Sequence, residues 1–182
     1  MEINIAKTFA IQITNKNQPL SFQYSIGDAT IKTVSEVKYL GLTISANLKW
    51  HLHIDNVCAK ALKKLCFLRR KLVKSTPTVR LNAYLMLIRP VMEYASIVWD
   101  AHLKKDIDKL ERIQRLSARF IVGDYRHASS VTAILQYLGL EPLYLRRKIS
   151  RLKFLYSLKK RVLGLNPDVY IHPIAYRSVR LN

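Results

Sequence analysis

Two-metal phosphoryl chemistry needs carboxylates gathered at one site, and the aspartates of this chain are scattered, with no two adjacent. Asp106 and Asp108 stand two apart on a predicted helix, so they point about 200° away from each other and read as surface, solubilising residues. His51, His53, Cys58 and Cys66 are zinc-ligand types. However, Cys58 and Cys66 lie about 12 Å apart along one predicted helix, and both sulfurs cannot sit about 2.3 Å from a single metal. They read instead as buried small hydrophobes. No Gly-rich phosphate loop with a lysine is present. The expectation is a chain with no catalytic residue, no metal site and no cofactor of its own, and therefore not an enzyme by itself.

What the residues can do is bind a polyanion. Thirty-one Lys and Arg stand against 12 Asp and Glu, a formal charge of +19 over 182 residues. Such a surplus repels itself in a compact state, and a polyanion partner neutralises it. The charge is organised. From Asp55 to Lys74 the apolar residues Val57, Ala61, Leu65, Leu68 and Leu72 recur at helical spacing, giving one stripe. Lys60, Lys63, Lys64, Arg70, Lys71 and Lys74 fall on the opposite arc with Phe67 among them, and only Arg69 breaks the pattern. No acidic residue lies between Asp55 and Glu93, so pairing within the helix cannot neutralise this face. A second cluster, Arg146-Arg147-Lys148 with Arg151 and Lys153, is less one-sided. Phe67 and Tyr84 are aromatic residues that could stack on an exposed base or pack in the core.

Two kinds of element must position these groups. Residues 1–50 punctuate as short strands: Phe9 to Ile13, Ser21 to Ser25, Ala29 to Val34 and Lys38 to Ile44, separated by the polar run Asn15-Lys16-Asn17 and by Gly27-Asp28. That pattern predicts a small antiparallel sheet, marginal unless packed on something else. Residues 51–164 take a helical period. After the Asp55–Lys74 helix, Thr76 and Pro77 start a second one that runs to about Ile88, where Arg89-Pro90 kinks or ends it. Val91 to Trp99 reads as a further helical piece buried by its neighbours. Helices then follow over Lys104 to Val122, closed by Gly123, from Ser130 to Gly139, and from Pro142 to about Leu163 before Gly164. Residues 165–182 form a tail without periodicity, expected to be loosely ordered. The predicted class is α+β: a small N-terminal sheet, then a larger all-α bundle. No signal peptide or apolar run of about 20 residues is seen, and two cysteines make no disulfide framework. The expectation is a soluble, intracellular chain with no stable membrane insertion, nucleus or cytoplasm being left open.

Several short motifs, in order, resemble the C-terminal part of reverse transcriptases from jockey-like non-LTR retrotransposons. Asn4-Ile5-Ala6-Lys7-Thr8 is similar to the lysine-bearing motif that follows the catalytic aspartates in the polymerase palm. Lys38-Tyr39-Leu40-Gly41-Leu42-Thr43-Ile44, then Leu48-Lys49-Trp50 and His53-Ile54, resembles the hairpin leading from palm to thumb. Arg89-Pro90-Val91-Met92-Glu93-Tyr94-Ala95-Ser96 with Trp99-Asp100 resembles the helical thumb signature. Leu110-Glu111-Arg112-Ile113-Gln114-Arg115, and later Leu143, Arg146-Arg147 and Arg151-Leu152, continue in the same order. The resemblance covers Asn4 to about Leu163 and implies an RNA-directed DNA polymerase fragment, end of palm plus thumb. The parent polymerase would use Mg, and its paired-aspartate motif is absent from this chain. By resemblance alone, Lys7 would assist leaving-group protonation in the parent.

The implied task is to hold a primer–template duplex, RNA–DNA or DNA, of arbitrary sequence, through phosphate contacts. The residues offered for it are Lys60, Lys63, Lys64, Arg70, Lys71 and Lys74, with Arg146, Arg147 and Arg151 second. A separate catalytic half is an implied partner. Three alternatives stay open: a helical protein–protein adaptor, a peripheral membrane binder through the Asp55–Lys74 helix, and a degraded copy with no selected function. In the last case the sheet, cut from its palm, would leave an apolar face uncovered.

Overall fold

Turn chemistry divides the N-terminal region in the computed structural model, which describes residues 3–14, 16 and 22–172. A 3-10 turn (Ile5–Lys7) precedes β1 (Phe9–Ile11). β2 (Tyr24–Ile26) and β3 (Ala29–Val34) form a hairpin through Gly27, whose φ is +58°. β1 pairs with the other edge of β3 in parallel register, Phe9 opposite Lys32, so this sheet is mixed, β1–β3–β2, rather than wholly antiparallel. The run Lys38 to Ile44 is not one strand. It folds back as β4 (Glu36–Tyr39) and β5 (Leu42–Ser45), paired antiparallel with Tyr39 opposite Leu42. Leu40 and Gly41 between them have φ of 45° and 83°, the positive pair that a two-residue hairpin loop needs. The turn is hidden in the sequence because Leu40 is a poor turn residue. The Ser21–Ser25 strand and the Asn15–Asn17 run fall partly outside the described residues.

The helical part holds the core. α1 (His51–Lys71) starts four residues earlier than its apolar stripe suggests, ends three residues before Lys74, which lies in the following turn, and buries Ile54, Val57, Ala61, Leu65 and Leu68. α2 (Pro77–Ala83) begins at Thr76, whose hydroxyl accepts from the Val79 N–H at 3.5 Å. Pro90 does not end this helix. Tyr84–Ile88 widens into a π turn, with the Arg89 N–H reaching back five residues to the Tyr84 carbonyl. That bypasses the missing amide of Pro90, and α3 (Arg89–Glu93) follows directly. Val91 to Trp99 is broken rather than one buried piece: Ala95 turns left-handed at φ 51° before α4 (Ser96–Trp99), and Tyr94, Ile97 and Val98 are exposed. α5 (Lys104–Val122) ends at Gly123, φ 74°, as its sequence predicts. α6 (Val131–Tyr137) is capped by Ser130, and α7 (Leu143–Lys159) stops before Leu163.

The whole is α+β, a small sheet region followed by helices. Its core lies among α1, the π turn, α3, α4 and α5, with Tyr84, Ile88, Met92, Trp99, Leu110 and Ile121 almost wholly buried. Among the described strand residues only Leu42 joins it. Phe9, Phe22, Tyr24, Tyr39 and Leu40 remain exposed. Of the C-terminal tail, Asn166 caps a 3-10 turn, Pro167–Val169, through the Asp168 N–H at 3.2 Å. Residues 173–182 lie outside the described residues.

Candidate nucleic-acid interface

α1 is amphipathic because its two sides answer to different solvents. Its apolar stripe packs on α5, α3 and the π turn, while the cations are left on the far side. Lys60, Lys63, Arg70, Lys71 and Lys74 are exposed, and Lys64 is half-buried. Among the described residues none of the six has an acidic partner. From Lys60 to Lys71 they run roughly 16 Å along the helix axis. Phe67 stands in the middle of the arc, half exposed. The one acid of α1, Asp55, is taken by Lys109 of α5, and this hydrogen bond raises the Lys109 pKa. Arg69, off the arc, lies over the Tyr125 ring at 4.9 Å.

The arc continues into a groove. The β4–β5 hairpin forms one wall and the π turn with α3 the other, around a cavity of about 800 Å³. Lys60 and Lys64 line it from α1, and Lys38 from β4. Met86, Leu87 and Tyr94 supply the apolar side, exposed there because the π turn carries Tyr84 and Ile88 inward. The Tyr94 hydroxyl donates to the Leu40 carbonyl at 3.1 Å and ties the walls together. A Cβ on Gly41 would meet the Tyr94 ring at 3.3 Å, so a larger residue would crowd this clasp. Lys38 is not among the predicted binding residues because nothing in a strand's sequence says which helix it will face.

The arginines of the second predicted cluster are paired with carboxylates, and one of them is buried. Arg147 is fully buried, its Nε–H donating to Asp100 at 2.8 Å. Arg151 forms an ion pair with the other oxygen of Asp100 at 2.9 Å. Arg146 forks onto Glu93 at 2.5 and 3.3 Å, which raises its pKa. These arginines are committed to carboxylates of the α3–α4 region, and Arg147 is out of reach of any ligand. Only Lys148 and Lys153 of that cluster stay exposed without an acidic partner among the described residues.

Other expectations also change. Tyr84 is not available for stacking: it is buried, its hydroxyl donates to Gln114 Oε1 at 3.1 Å, and burial holds its pKa well above the usual range. Asp106 is not a solubilising surface residue but is buried against His51 and Lys109. Cys66 is exposed rather than buried, whereas Cys58 is partly covered and burial pushes its thiol up to about 11. His53 is nearly wholly buried, accepts from the Thr43 N–H at 3.2 Å, and meets Trp99 and Trp50 edge-on. Among the described residues no group of three His, Cys, Asp or Glu could hold a metal ion. Lys7 is exposed on the 3-10 turn before β1.

Two arginines outside the predicted set are internal clamps. Arg80 donates to the carbonyls of Leu72, Val73 and Phe120 at 3.1, 2.6 and 3.2 Å, closing the C-terminal ends of α1 and α5. Arg119 donates to the carbonyls of Asp124, Arg126 and Ser129. No helix of the described residues is long and apolar enough to cross a membrane. The chain matches no protein-family model, no curated protein and no solved structure.

Proposed function

We propose that this chain binds nucleic acid without regard to sequence, as the end-of-palm and thumb region of a non-LTR retrotransposon reverse transcriptase, and carries no catalytic centre of its own. The observation that carries the reading is the α1 arc: Lys60, Lys63, Lys64, Arg70 and Lys71, with Lys74 in the turn just after the helix, are left without acidic partners among the described residues, while Asp55 and Glu93 are engaged elsewhere. A row of solvated ammonium groups suits phosphates, whose recognition needs charge and reach rather than base-edge geometry. The groove adds an apolar wall against which a sugar or base can lie. The polymerase assignment rests on the order of motifs in the sequence. It is supported by one local feature: Lys38 to Ile44 forms a hairpin that lies beside α1.

The test is binding of a fluorescent RNA–DNA duplex followed by anisotropy as salt is raised. A protein making about 6–10 phosphate contacts loses about 10³–10⁵ in affinity between 50 and 200 mM salt. Replacing Lys60, Lys64 and Lys71 together by Glu should abolish most binding. Unchanged affinity in that variant would overturn the assignment.

A further inference from the structure

The β4–β5 hairpin is held against the helices by few contacts. Among the described residues Leu42 is its one contribution to the core, and three hydrogen bonds tie it to the helical part. The Tyr94 hydroxyl donates to the Leu40 carbonyl at 3.1 Å, the Asn56 amide to the Thr43 hydroxyl at 3.4 Å, and the Thr43 N–H to His53 Nδ1 at 3.2 Å. The first two are exposed, whereas the third reaches inward to an imidazole that is only 3% exposed. Register explains why that bond exists. Tyr39 opposite Leu42 closes the two-residue turn, so the next pair, Lys38 opposite Thr43, is a non-hydrogen-bonded one and the Thr43 N–H points away from β4. Its partner is His53.

Accepting that N–H requires a lone pair on Nδ1, so the neutral ring carries its proton on Nε2, which is buried without a partner among the described residues. The ring meets Trp50 and Trp99 edge-on. Nothing around it supplies a counter-charge. His53 lines the groove with Lys60 and Lys64 of α1, Lys38 of β4 and Tyr94 after α3, and no carboxylate is among the described residues that line it. Asp100, which follows Trp99, is paired with Arg147 and Arg151, and Asp106 with His51 and Lys109. Burial accordingly lowers the pKa of His53. A proton added at Nδ1 turns the acceptor into a donor aimed at another donor, and leaves an uncompensated cation in the interior. We propose that the β4–β5 hairpin is an acid-released wall of the groove: protonation of His53 at Nδ1 breaks its bond to Thr43 and frees the hairpin from α1, while the helices stay packed. Opening relieves both costs, because water then reaches the imidazolium and the Thr43 N–H. It also parts Lys38 from Lys60 and Lys64, so pH sets how closely the groove's cations are gathered. The inference does not depend on duplex binding by α1.

Hydrogen exchange of the full chain, corrected for the intrinsic pH dependence of exchange, reads the opening directly. With an ordinary histidine pKa of about 6.5 in the open hairpin, opening should rise at least about tenfold from about pH 7.5 to about pH 5. The rise should be confined to residues 36–45 and leave α5 protected. His53→Asn keeps an acceptor for the Thr43 N–H and has no titrating ring, so its hairpin protection should not change with pH. His51→Gln, which removes the neighbouring histidine, should keep the rise. A second readout needs no variant: in NMR spectra of the chain, the Thr43 amide and the His53 ring should shift with one shared midpoint below 6.5. Constant hairpin protection, or an equal loss across α5, overturns the proposal. So does a rise that survives in His53→Asn or vanishes in His51→Gln, or separate midpoints for Thr43 and His53.

Discussion

Two basic helices, α1 and α7, use their charge in opposite ways. On α1 the cations are mostly lysines and stand free; on α7 the arginines are drawn onto Asp100 and Glu93. The difference follows from side-chain chemistry. A guanidinium is planar, weakly hydrated and able to fork onto a carboxylate, whereas an ammonium is a strongly hydrated point charge. Arg147 can therefore be fully buried where a lysine would need a wetter site, although its Nη1 and Nη2 still lack partners. A high formal charge thus has two parts, one available to a polyanion and one consumed in architecture.

The largest effect that separates the two is on stability. Asp100→Ala removes the carboxylate facing a buried guanidinium and should cost about 3–5 kcal/mol, read as a fall in the urea midpoint. Lys60→Gln with Lys71→Gln should move that midpoint by under about 0.5 kcal/mol. Comparable losses from both would erase the distinction. Next in size, Phe67→Ala should leave stability almost unchanged yet weaken single-stranded DNA binding by about 1 kcal/mol, since the ring sits half exposed inside the cationic arc. Loss of stability instead would make Phe67 a packing residue.

A third test uses pH at the inner side of α1. Burial lowers the pKa of His53 below its ordinary 6.5, so between the two values the unfolded chain binds the extra proton. Stability from this group is present above about pH 6.5 and declines as pH falls towards the folded-state pKa. Thermal unfolding at successive pH values should show that decline, and His53→Asn, which keeps an acceptor for the Thr43 N–H, should remove it. The smallest perturbation is chemical labelling. Exposed Cys66 should react with a maleimide at neutral pH well before Cys58, whose burial keeps it as the thiol.

Much of this organisation is legible in the sequence where the cause is local. Thr76 and Ser130 cap helices because their hydroxyls reach amides three residues on, and Gly123 ends α5 because it takes a left-handed φ. The α1 arc follows from periodicity alone. What sequence could not show depends on which elements meet. Glu111 of α5 accepts the Tyr144 N–H at 2.8 Å and so stabilises the start of α7. Gln114 joins Tyr84 to the Glu141 carbonyl. Asp100 collects two arginines from a helix more than forty residues away. The same long-range pairing buries Arg147 and engages Arg146 and Arg151 with carboxylates. Pro90, a breaker by local rules, is accommodated by a π turn that no local pattern announces.

The central claim is that free charge for nucleic acid resides on α1 and not on the α7 arginines, and the salt dependence of duplex binding measures it most directly. For each variant, log Kd is plotted against log salt. Lys60→Gln, Lys64→Gln and Lys71→Gln together should lower the slope by about 3, one for each phosphate that the variant no longer neutralises. Arg146→Gln with Arg151→Gln, with folding checked by circular dichroism, should leave the slope where it was. An unchanged slope in the α1 variant, or an equal fall in the α7 variant, would contradict the account.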